Sequence, residues 1–445
     1  MSYYTRIVLL SAALLALTLG LFFFGPHAAS ISLVAQGPNG QAVSVGAPIS
    51  VTFSRPVDRA SAEASFRIVP PVTGRFFWEE RTLTFQPAQP LAPETTYSVA
   101  FGTGLRDENG RPSARDLAWG FRTRGPRLLA LTATTDGGSA LWLVAPDGTG
   151  ARQLLAAPAG ISDIAIAPDG TRAIYVEPRG LQRSALVLIS LEDGATRPLL
   201  DDETASAAAP AWAPGGDFIA FERRALSGGQ LGVPRVWLAQ PDGTLLGPLT
   251  RGDGSDISYG PAWSPDGNSV AFLDGVSQAL KRYSFFTDSV TELPIRSGER
   301  PSWLPDGSAL AYSAAETGPD GLTLRLRLVT LGTAPATRDL TDGGAAELSP
   351  AVSPNGEAVA YTRRGPDGPQ AQIWLAPTAG GAARALSAAG PHQDTQPLWS
   401  PDGARIAFVR SSAAGPLQSE AVVIDATSGA ESVVLAGAVQ VIWAP

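Results

Sequence analysis

Acidic residues recur at one kind of position in this 445-residue chain, just before each of a series of similar apolar strands. They are Asp163, Asp202 with Glu203, Asp256, Glu299, Glu347 and Asp394. If the strands that follow them line a central channel, the carboxylates gather around one mouth, where negative potential would attract a cation or a basic peptide. Carboxylates on neighbouring repeats could also perform acid–base catalysis on a glycan or an ester. The alternative is that the loops of an acidic protein are simply polar.

Other catalytic chemistry has little support in the sequence. The chain has no cysteine and two histidines, which excludes thiol nucleophiles and leaves His392 as the base that a serine triad would need. No G-x-S-x-G, P-loop, EF-hand or H-E-x-x-H pattern is present. We interpret His392 as a polar loop residue, and the net charge of −8 argues against a nucleic-acid partner. The sequence therefore predicts a protein that is not an enzyme and has no cofactor and no metal.

The acids precede a phrase that returns along the chain. Its copies are IAPDG (166–170), WAPGG (212–216), WSPDG (263–267), WLPDG (303–307), VSPNG (352–356), WSPDG (399–403) and a truncated WAP (443–445). A spacing of 40 to 51 residues between the prolines indicates a repeat architecture. Each phrase ends one strand and turns into a second, and a hairpin of two more strands follows. We interpret the aspartates of these turns as residues that bond the backbone two positions on; they are Asp169, Asp266, Asp306 and Asp402.

Four antiparallel strands per repeat are typical of one blade of a β-propeller. Six complete units run from about 161 to 436, and a fragment without a first strand, at 128–155, precedes them. A lone first strand, VQVIWAP (439–445), follows them. Pairing of the lone strand with the fragment would complete a seventh blade and close the ring. The sequence therefore predicts seven blades, with six or eight as alternatives.

With its WSPDG and IAF repeats, the region 126–445 resembles the TolB-type and WD-like β-propellers. The resemblance implies the fold and no particular function, because the matching residues are structural. The repeat tryptophans are expected to pack between adjacent blades, and stacking on carbohydrate is the alternative role. They are Trp212, Trp263, Trp303, Trp399 and Trp443, with Ile166 and Val352 in their place in two repeats.

The segment 31–124 lacks this repeat and contains seven short β-rich runs separated by turn signals, which predicts an antiparallel sandwich. In ISVTFS (49–54), Ile49, Val51 and Phe53 are expected to face the core. The runs VTFSRPVD (51–58), FRIVPPVTGRF (66–76) and GLRDENGRP (104–112) resemble the SbsA-type bacterial Ig-like domain. That resemblance implies a surface or envelope module that serves as a spacer or adhesion unit, with no catalytic residues.

The N-terminus carries a membrane signal. Residues 7–24 form an uncharged apolar run, about 27 Å long as a helix, which is close to the thickness of a bilayer core. The preceding Arg6 places the N-terminus in the cytoplasm by the positive-inside rule. We predict that 1–29 is an uncleaved signal anchor; the alternative is a cleaved signal peptide and a secreted or periplasmic protein.

Together these features predict an all-β, single-pass protein with residues 31–445 outside the cytoplasm. The leading hypothesis is a non-enzymatic scaffold whose propeller binds a protein, a peptide or an envelope polymer and whose Ig-like domain is a spacer. The seven acids are its candidate ligand-binding residues. The alternative is an extracytoplasmic hydrolase or lyase that acts on glycans or esters through these carboxylates.

Overall fold

The computed structural model describes residues 31–445 except 88–90, 251–255, 298, 319–320, 333–334, 344, 366–369 and 413–417. The predicted membrane segment at 7–24 lies outside these residues. Among the described helices, none has the length and apolar character needed to cross a bilayer. The chain divides into two compact units: one contains the described residues to Val43 together with Ala47–Thr123, and the other contains Ser44–Gly46 and Arg124–Pro445.

The first unit consists of two four-stranded sheets and one short helix. Its elements are β1 (Leu33–Gly37), β2 (Gly40–Val43), β3 (Ile49–Phe53), α1 (Arg59–Ser65), β4 (Phe66–Val69), β5 (Gly74–Glu79), β6 (Thr82–Pro87), β7 (Thr96–Phe101) and β8 (Leu117–Thr123). The sheets have the orders β1-β3-β6-β5 and β2-β8-β7-β4. The predicted alternation in β3 is confirmed, because Ile49, Val51 and Phe53 are buried while the residues between them are half-buried.

Aromatic rings fill the core of this unit. The ring of Phe53 in β3 lies 5.3 Å from the ring of Phe101 in β7, so the two sheets meet face to face. The sequence pattern missed β2, a short parallel partner of β8, and the helix α1. A signal for α1 was available, because Asp58 at its N-cap accepts a hydrogen bond from the Ser61 N–H.

The second unit is built from β9 to β37, which form seven antiparallel groups among the described residues. Sheets 1 to 3 comprise β12 (Ile164–Ile166), β13 (Arg172–Pro178), β14 (Ser184–Ser190) and β15 (Thr196–Leu200); β16 (Ala205–Trp212), β17 (Ile219–Ser227), β18 (Gln230–Leu231), β19 (Arg235–Ala239) and β20 (Leu245–Pro248); and β21 (Ser258–Trp263), β22 (Ser269–Asp274), β23 (Ala279–Ser284) and β24 (Ser289–Arg296). Sheets 4 and 5 comprise β25 (Ser302–Trp303), β26 (Ala309–Gly318), β27 (Gly321–Thr330) and β28 (Thr337–Asp339); and β29 (Ala346–Val352), β30 (Ala358–Arg364), β31 (Ala371–Pro377) and β32 (Arg384–Ala385).

Sheets 6 and 7 complete the unit. Sheet 6 comprises β33 (His392–Trp399), β34 (Arg405–Ser412), β35 (Ser419–Asp425) and β36 (Glu431–Ala436), and sheet 7 comprises β37 (Ala438–Ala444), β9 (Arg127–Ala133), β10 (Ser139–Val144) and β11 (Arg152–Ala157). A single parallel pairing, Ala371 with Gln393, joins sheets 5 and 6. In sheet 7 the C-terminal strand β37 pairs with β9, as the sequence predicted.

Hydrophobic clusters lie between successive sheets. One cluster lies between each sheet and the next, from sheet 1 to sheet 7, and a further cluster lies between sheet 7 and sheet 1. The sheets therefore contact one another in a closed cycle. Because a sheet that is apolar on both faces cannot bury both of them alone, each sheet needs two neighbours.

Turns of one kind join the first strand of a sheet to the second. In the turn at 263–269, the Asp266 carboxylate accepts the Asn268 N–H at 3.0 Å, and Gly267 has a φ of 71°. The corresponding aspartates Asp169, Asp306 and Asp402 accept the N–H two residues on in the same way. Their predicted turn-shaping role is thus confirmed. We call the end of the sheets that carries these turns the turn end, and the opposite end, where each first strand begins, the leading end.

Candidate functional site at the leading end

Four first strands carry a β-bulge next to a proline. In sheets 2, 3, 5 and 6 the strand register shifts there, and the residue before the proline has a positive φ, namely Ala209, Gly260, Ser349 and Gln396. The bulge takes a backbone N–H out of the ladder. The Gly260 N–H donates to Glu222 Oε1 at 2.9 Å, and the Ser349 N–H donates to Glu299 Oε2 at 2.7 Å. The predicted acid Glu299 therefore binds the backbone of the following sheet.

An ion pair joins two first-strand loops that are not adjacent. The Arg300 guanidinium, just before sheet 4, lies 3.6 Å from Asp163 Oδ2, just before sheet 1. Arg300 passes over Gly260 of sheet 3, where a Cβ would lie 3.4 Å from its Cγ. Both side chains are partly exposed, so the pair is worth at most about 1 kcal/mol. Asp163 is thus partly neutralised from another sheet.

Asp202 and Asp256 bind arginines of sheet 2. Asp202 Oδ2 accepts from Arg223 Nη2 at 2.6 Å, and Asp256 Oδ1 lies 2.8 Å from Arg235 Nη2. The Thr204 hydroxyl, followed by the Arg223 guanidinium, lowers the pKa of Asp202 to about 2. Asp202 therefore stays ionised at neutral pH, and both carboxylates pair with arginines within the protein.

Asp394 is the most completely bound of the predicted acids. It is fully buried and receives two hydrogen bonds from Arg410, of 2.8 and 2.9 Å. Arg410 also bonds Glu431 at 2.7 Å. Burial lowers the pKa of Arg410, but the bonds to Asp394 and Glu431 outweigh it and raise the pKa above its ordinary value. This bidentate arrangement is structural, because both carboxylate oxygens are engaged.

His392 lies beside this pair without forming a triad. Its Nε2 is 3.3 Å from the Ala388 carbonyl oxygen and 3.7 Å from Asp394 Oδ2. A catalytic base needs a carboxylate within hydrogen-bond distance to orient it, and Arg410 occupies the oxygens of Asp394. The geometry therefore agrees with a structural role for His392, but the predicted loop position is wrong, because His392 is the first residue of β33 and pairs with Ser412.

Glu347 is buried where sheets 4 and 5 meet. Its Oε2 accepts the Leu326 N–H at 2.8 Å and a bond from the Thr341 hydroxyl, while its Oε1 is buried with no hydrogen-bond partner. Burial raises the pKa of Glu347 above its ordinary 4.5. Ser258 holds the equivalent place in sheet 3, where its hydroxyl accepts the Val236 N–H of sheet 2. Both side chains fasten a first strand to the third strand of the preceding sheet.

Most of the predicted acids thus bind different partners within the protein. Glu203 is exposed, and the other six each bind an arginine or a backbone N–H. In the described part of the chain, no group of three or more histidine, aspartate or glutamate residues is arranged to hold a metal ion. Whether the acids bind a ligand stays a prediction.

The arginines that bind these acids were missed at the sequence level. Two of them, Arg223 and Arg410, follow the apolar core of the second strands. Arg363 holds the same position in sheet 5, where its Nη2 lies 3.9 Å from Oδ1 of Asp342 rather than beside a predicted acid. Each guanidinium lies over an aromatic ring, at 4.7 Å from Trp237, 4.4 Å from Trp374 and 5.4 Å from Phe408. The signal was an arginine two residues after the aromatic residue of the IAF-type strand, a position that the strand alternation places towards the preceding sheet.

The repeat tryptophans lie between sheets, as predicted. Four of them donate the indole Nε1–H to a backbone oxygen of the preceding sheet: Trp263 to Ala211, Trp303 to Ala262, Trp399 to Ala351 and Trp443 to Leu398, at 2.9 to 3.2 Å. Trp212 is buried, but its Nε1 has no partner. These bonds link consecutive first strands and leave the rings in the interfaces between sheets.

Among the cavities beside the sheets are three of several hundred Å³. One of about 380 Å³ is lined by Asp274, Lys281 and Tyr283 of sheet 3. One of about 500 Å³ contains Arg363 and Trp374 of sheet 5. The third, of about 330 Å³, is formed by the 178–184 loop of sheet 1 and the leading end of sheet 2, and it contains Arg183, Glu222 and Arg224. Among these cavities, the third is the one that contains a bulge-binding carboxylate, Glu222.

Comparison with known proteins finds one matching sequence family and several structures of similar fold. Residues 29–123 match the bacterial Ig-like domain family. TolB from Acinetobacter baumannii is 13% identical over 94% of this chain and 99% of that chain, with a TM-score of 0.46. The β-propeller domain of the trilobed protease from Pyrococcus furiosus is 9% identical over 76% and 92%, with a TM-score of 0.49. The periplasmic gluconolactonase PpgL of Pseudomonas aeruginosa is 15% identical over 72% and 99%, with a TM-score of 0.50.

No curated protein matches the sequence significantly. The similar structures include a lactonase and a protease domain as well as TolB, and at these identities they inform the fold alone. The chain therefore contains a bacterial Ig-like domain and a region that resembles TolB and other β-propeller proteins.

Proposed function

We propose that this chain is an extracytoplasmic, membrane-tethered binding protein that is not an enzyme. Residues 1–29 contain the membrane anchor, 31–124 form the spacer domain, and 126–445 form a seven-bladed propeller that binds a protein or peptide. The closed cycle of seven hydrophobic clusters supports the blade number. The N-terminal apolar run supports the tether.

The observation that carries the binding role is the pairing of the leading-end carboxylates. Acid–base catalysis needs one carboxyl group that can give up a proton and a second that can accept it at the reacting atoms. Asp202, Asp256 and Asp394 are instead bound by arginines. The partly exposed pairs of Asp202 and Asp256 form a surface of both signs, which favours recognition of a complementary charged partner.

Within this surface, we assign ligand contact to the acids that are least engaged. Glu203 is exposed, and Asp163 is held only by the loose pair with Arg300 and by the N–H of the following residue. A basic side chain of the partner could replace Arg300 beside Asp163 at little cost, because exposed ion pairs are weak. The remaining five acids stabilise the structure around these contacts through their bonds to arginines and backbone N–H groups.

The test is affinity capture from the protein's own cell-envelope extract with the purified full chain. The variant Asp163→Arg with Glu203→Arg reverses two charges at the leading end, and Asp217→Arg reverses an exposed charge at the turn end as the control. We expect a partner that the wild type and the control retain and the double variant loses. Equal capture by all three would refute the assignment. Turnover of a glycan or ester by the purified wild type, reduced in the double variant, would establish the hydrolase or lyase alternative instead.

A further inference from the structure

The cavity of about 330 Å³ at the leading end has more hydrogen-bond donors than acceptors available to a ligand. It is lined by Gln182, Arg183, Ser184, Ser206, Glu222 and Arg224 among polar residues. Arg224 is exposed and forms no ion pair or hydrogen bond within the described residues. Arginines elsewhere at the leading end, such as Arg223 and Arg410, bind carboxylates directly.

Two acceptors of the cavity are already in use. Glu222 Oε1 accepts the Gly260 N–H, and the Ser206 hydroxyl oxygen accepts the Ser184 N–H at 3.0 Å. The Ser206 and Ser184 hydroxyl protons and the Arg224 guanidinium can donate to a ligand. A guanidinium flanked by hydroxyl donors matches the two oxygens of a carboxylate.

The apolar part of the lining indicates the kind of molecule that brings the carboxylate. Leu181 is fully exposed and Leu231 is half-buried, and both line this cavity. None of the described lining residues is aromatic. Aromatic rings are the usual platform for the faces of sugars and bases, whereas an aliphatic side chain of a peptide packs well on leucine.

We infer that this cavity binds an acidic side chain of a partner peptide through Arg224, with an aliphatic neighbour of that side chain against Leu181 and Leu231. The inference rests on the proposed binding function and specifies its chemistry. With Asp163 and Glu203 as contacts for basic groups, the partner segment carries charges of both signs, which sets its orientation on the surface.

The test uses a fluorescein-labelled peptide of alternating glutamate and leucine, titrated into the purified full chain and followed by fluorescence anisotropy. Arg224→Gln should weaken binding about tenfold or more, since a charge-assisted bond to a carboxylate is lost. Arg405→Gln is the matched control: Arg405 is exposed at the turn end, and its replacement changes the net charge equally. We expect the control to bind within about twofold of the wild type. Because Arg224 has no partner to lose, its variant should fold normally, which an unchanged melting curve would verify.

Three results would overturn the inference. The first is that Arg224→Gln and Arg405→Gln weaken peptide binding equally. The second is that a peptide with glutamine in place of glutamate binds as tightly as the original peptide. The third is that galacturonate competes more strongly than the unlabelled peptide, which would identify the ligand as an acidic glycan. The titration needs no natural partner, so its failure is separate from a failed capture experiment. If the cavity binds the peptide but the capture experiment finds no partner, the carboxylate-binding site is supported and the proposed function is refuted.

Discussion

The hydrogen bonds of the repeat tryptophans provide a test with a built-in control. Trp399→Phe removes the bond from Nε1 to the Ala351 oxygen, whereas Trp212→Phe makes the same chemical change at an indole that donates no bond. Both variants lose similar volume between two sheets. The difference between them therefore isolates one hydrogen bond between consecutive first strands.

The size of the stability difference depends on whether the Ala351 carbonyl oxygen finds another hydrogen-bond donor. A net hydrogen bond contributes about 0.5–1.5 kcal/mol, and a buried acceptor left without a partner costs about 1–3 kcal/mol. Ala351 is 8% exposed, so water reaches its oxygen poorly. We expect Trp399→Phe to lower the free energy of unfolding by about 1–2 kcal/mol more than Trp212→Phe. The control retains a ring beneath Arg172, whose guanidinium lies 5.6 Å from the Trp212 ring, so its own loss should be small.

The assay is urea unfolding of the full chain followed by far-UV circular dichroism, because tryptophan fluorescence changes with the substitution itself. For an m-value of about 3 kcal/mol per M, the expected difference is a shift of about 0.5 M in the unfolding midpoint. Trp443→Phe, which removes a bond to the Leu398 oxygen, should behave like Trp399→Phe. Equal midpoints for Trp399→Phe and Trp212→Phe, or a larger loss in the latter, would refute the assignment of stability to these bonds.

Three further predictions concern the carboxylates. Asp394→Asn should destabilise the protein by about 2–4 kcal/mol in the same assay, because it removes the buried carboxylate of the pair and leaves the half-buried Arg410 without its main counter-ion. Glu347→Gln should raise the melting temperature at pH 7. Because the folded-state pKa of Glu347 is raised, the wild type loses stability as the pH rises from 4.5 through that pKa. The gain in melting temperature should therefore disappear below about pH 4, as measured by calorimetry. Thr204→Ala should raise the pKa of Asp202 from about 2 towards 3.8, as measured by NMR titration of the carboxyl carbon.

Each of these has a matched comparison or a contrary outcome. Asp163→Asn makes the same change as Asp394→Asn at a partly exposed pair and should cost less than about 1 kcal/mol, so similar losses would contradict the distinction between the two acids. A gain from Glu347→Gln that persists unchanged at pH 3 would show that charge is not its cause. An unchanged Asp202 pKa in Thr204→Ala would assign the effect to Arg223 and the backbone N–H of residue 204.

The repeated phrase predicted much of the architecture because it encodes local structure. Proline, aspartate and glycine specify the turn, and the apolar strands on both sides specify a buried sheet; the pairing of β37 with β9 could therefore be predicted from incomplete ends of the repeat. The helix α1 and the strand β2 were missed, since each is only a few residues long and its hydrophobic pattern is weak. The positions of the five repeat tryptophans were predicted, but the buried, unpaired indole nitrogen of Trp212 was not.

The sequence by itself thus determined the order of strands, the turn chemistry and the apolar interfaces, all of which depend on residues within one repeat. Only the tertiary structure decided the state of each acid. The sequence pattern placed Asp394 and Asp163 alike, before their strands, yet Asp394 lies within β33, fully buried against Arg410 of its own sheet, and Asp163 precedes β12 and meets Arg300 from a distant repeat. Such partners lie 16 and 137 positions away and follow no common spacing. Electrostatic environment depends on distance in space, so it becomes readable only when the sheets have been assembled.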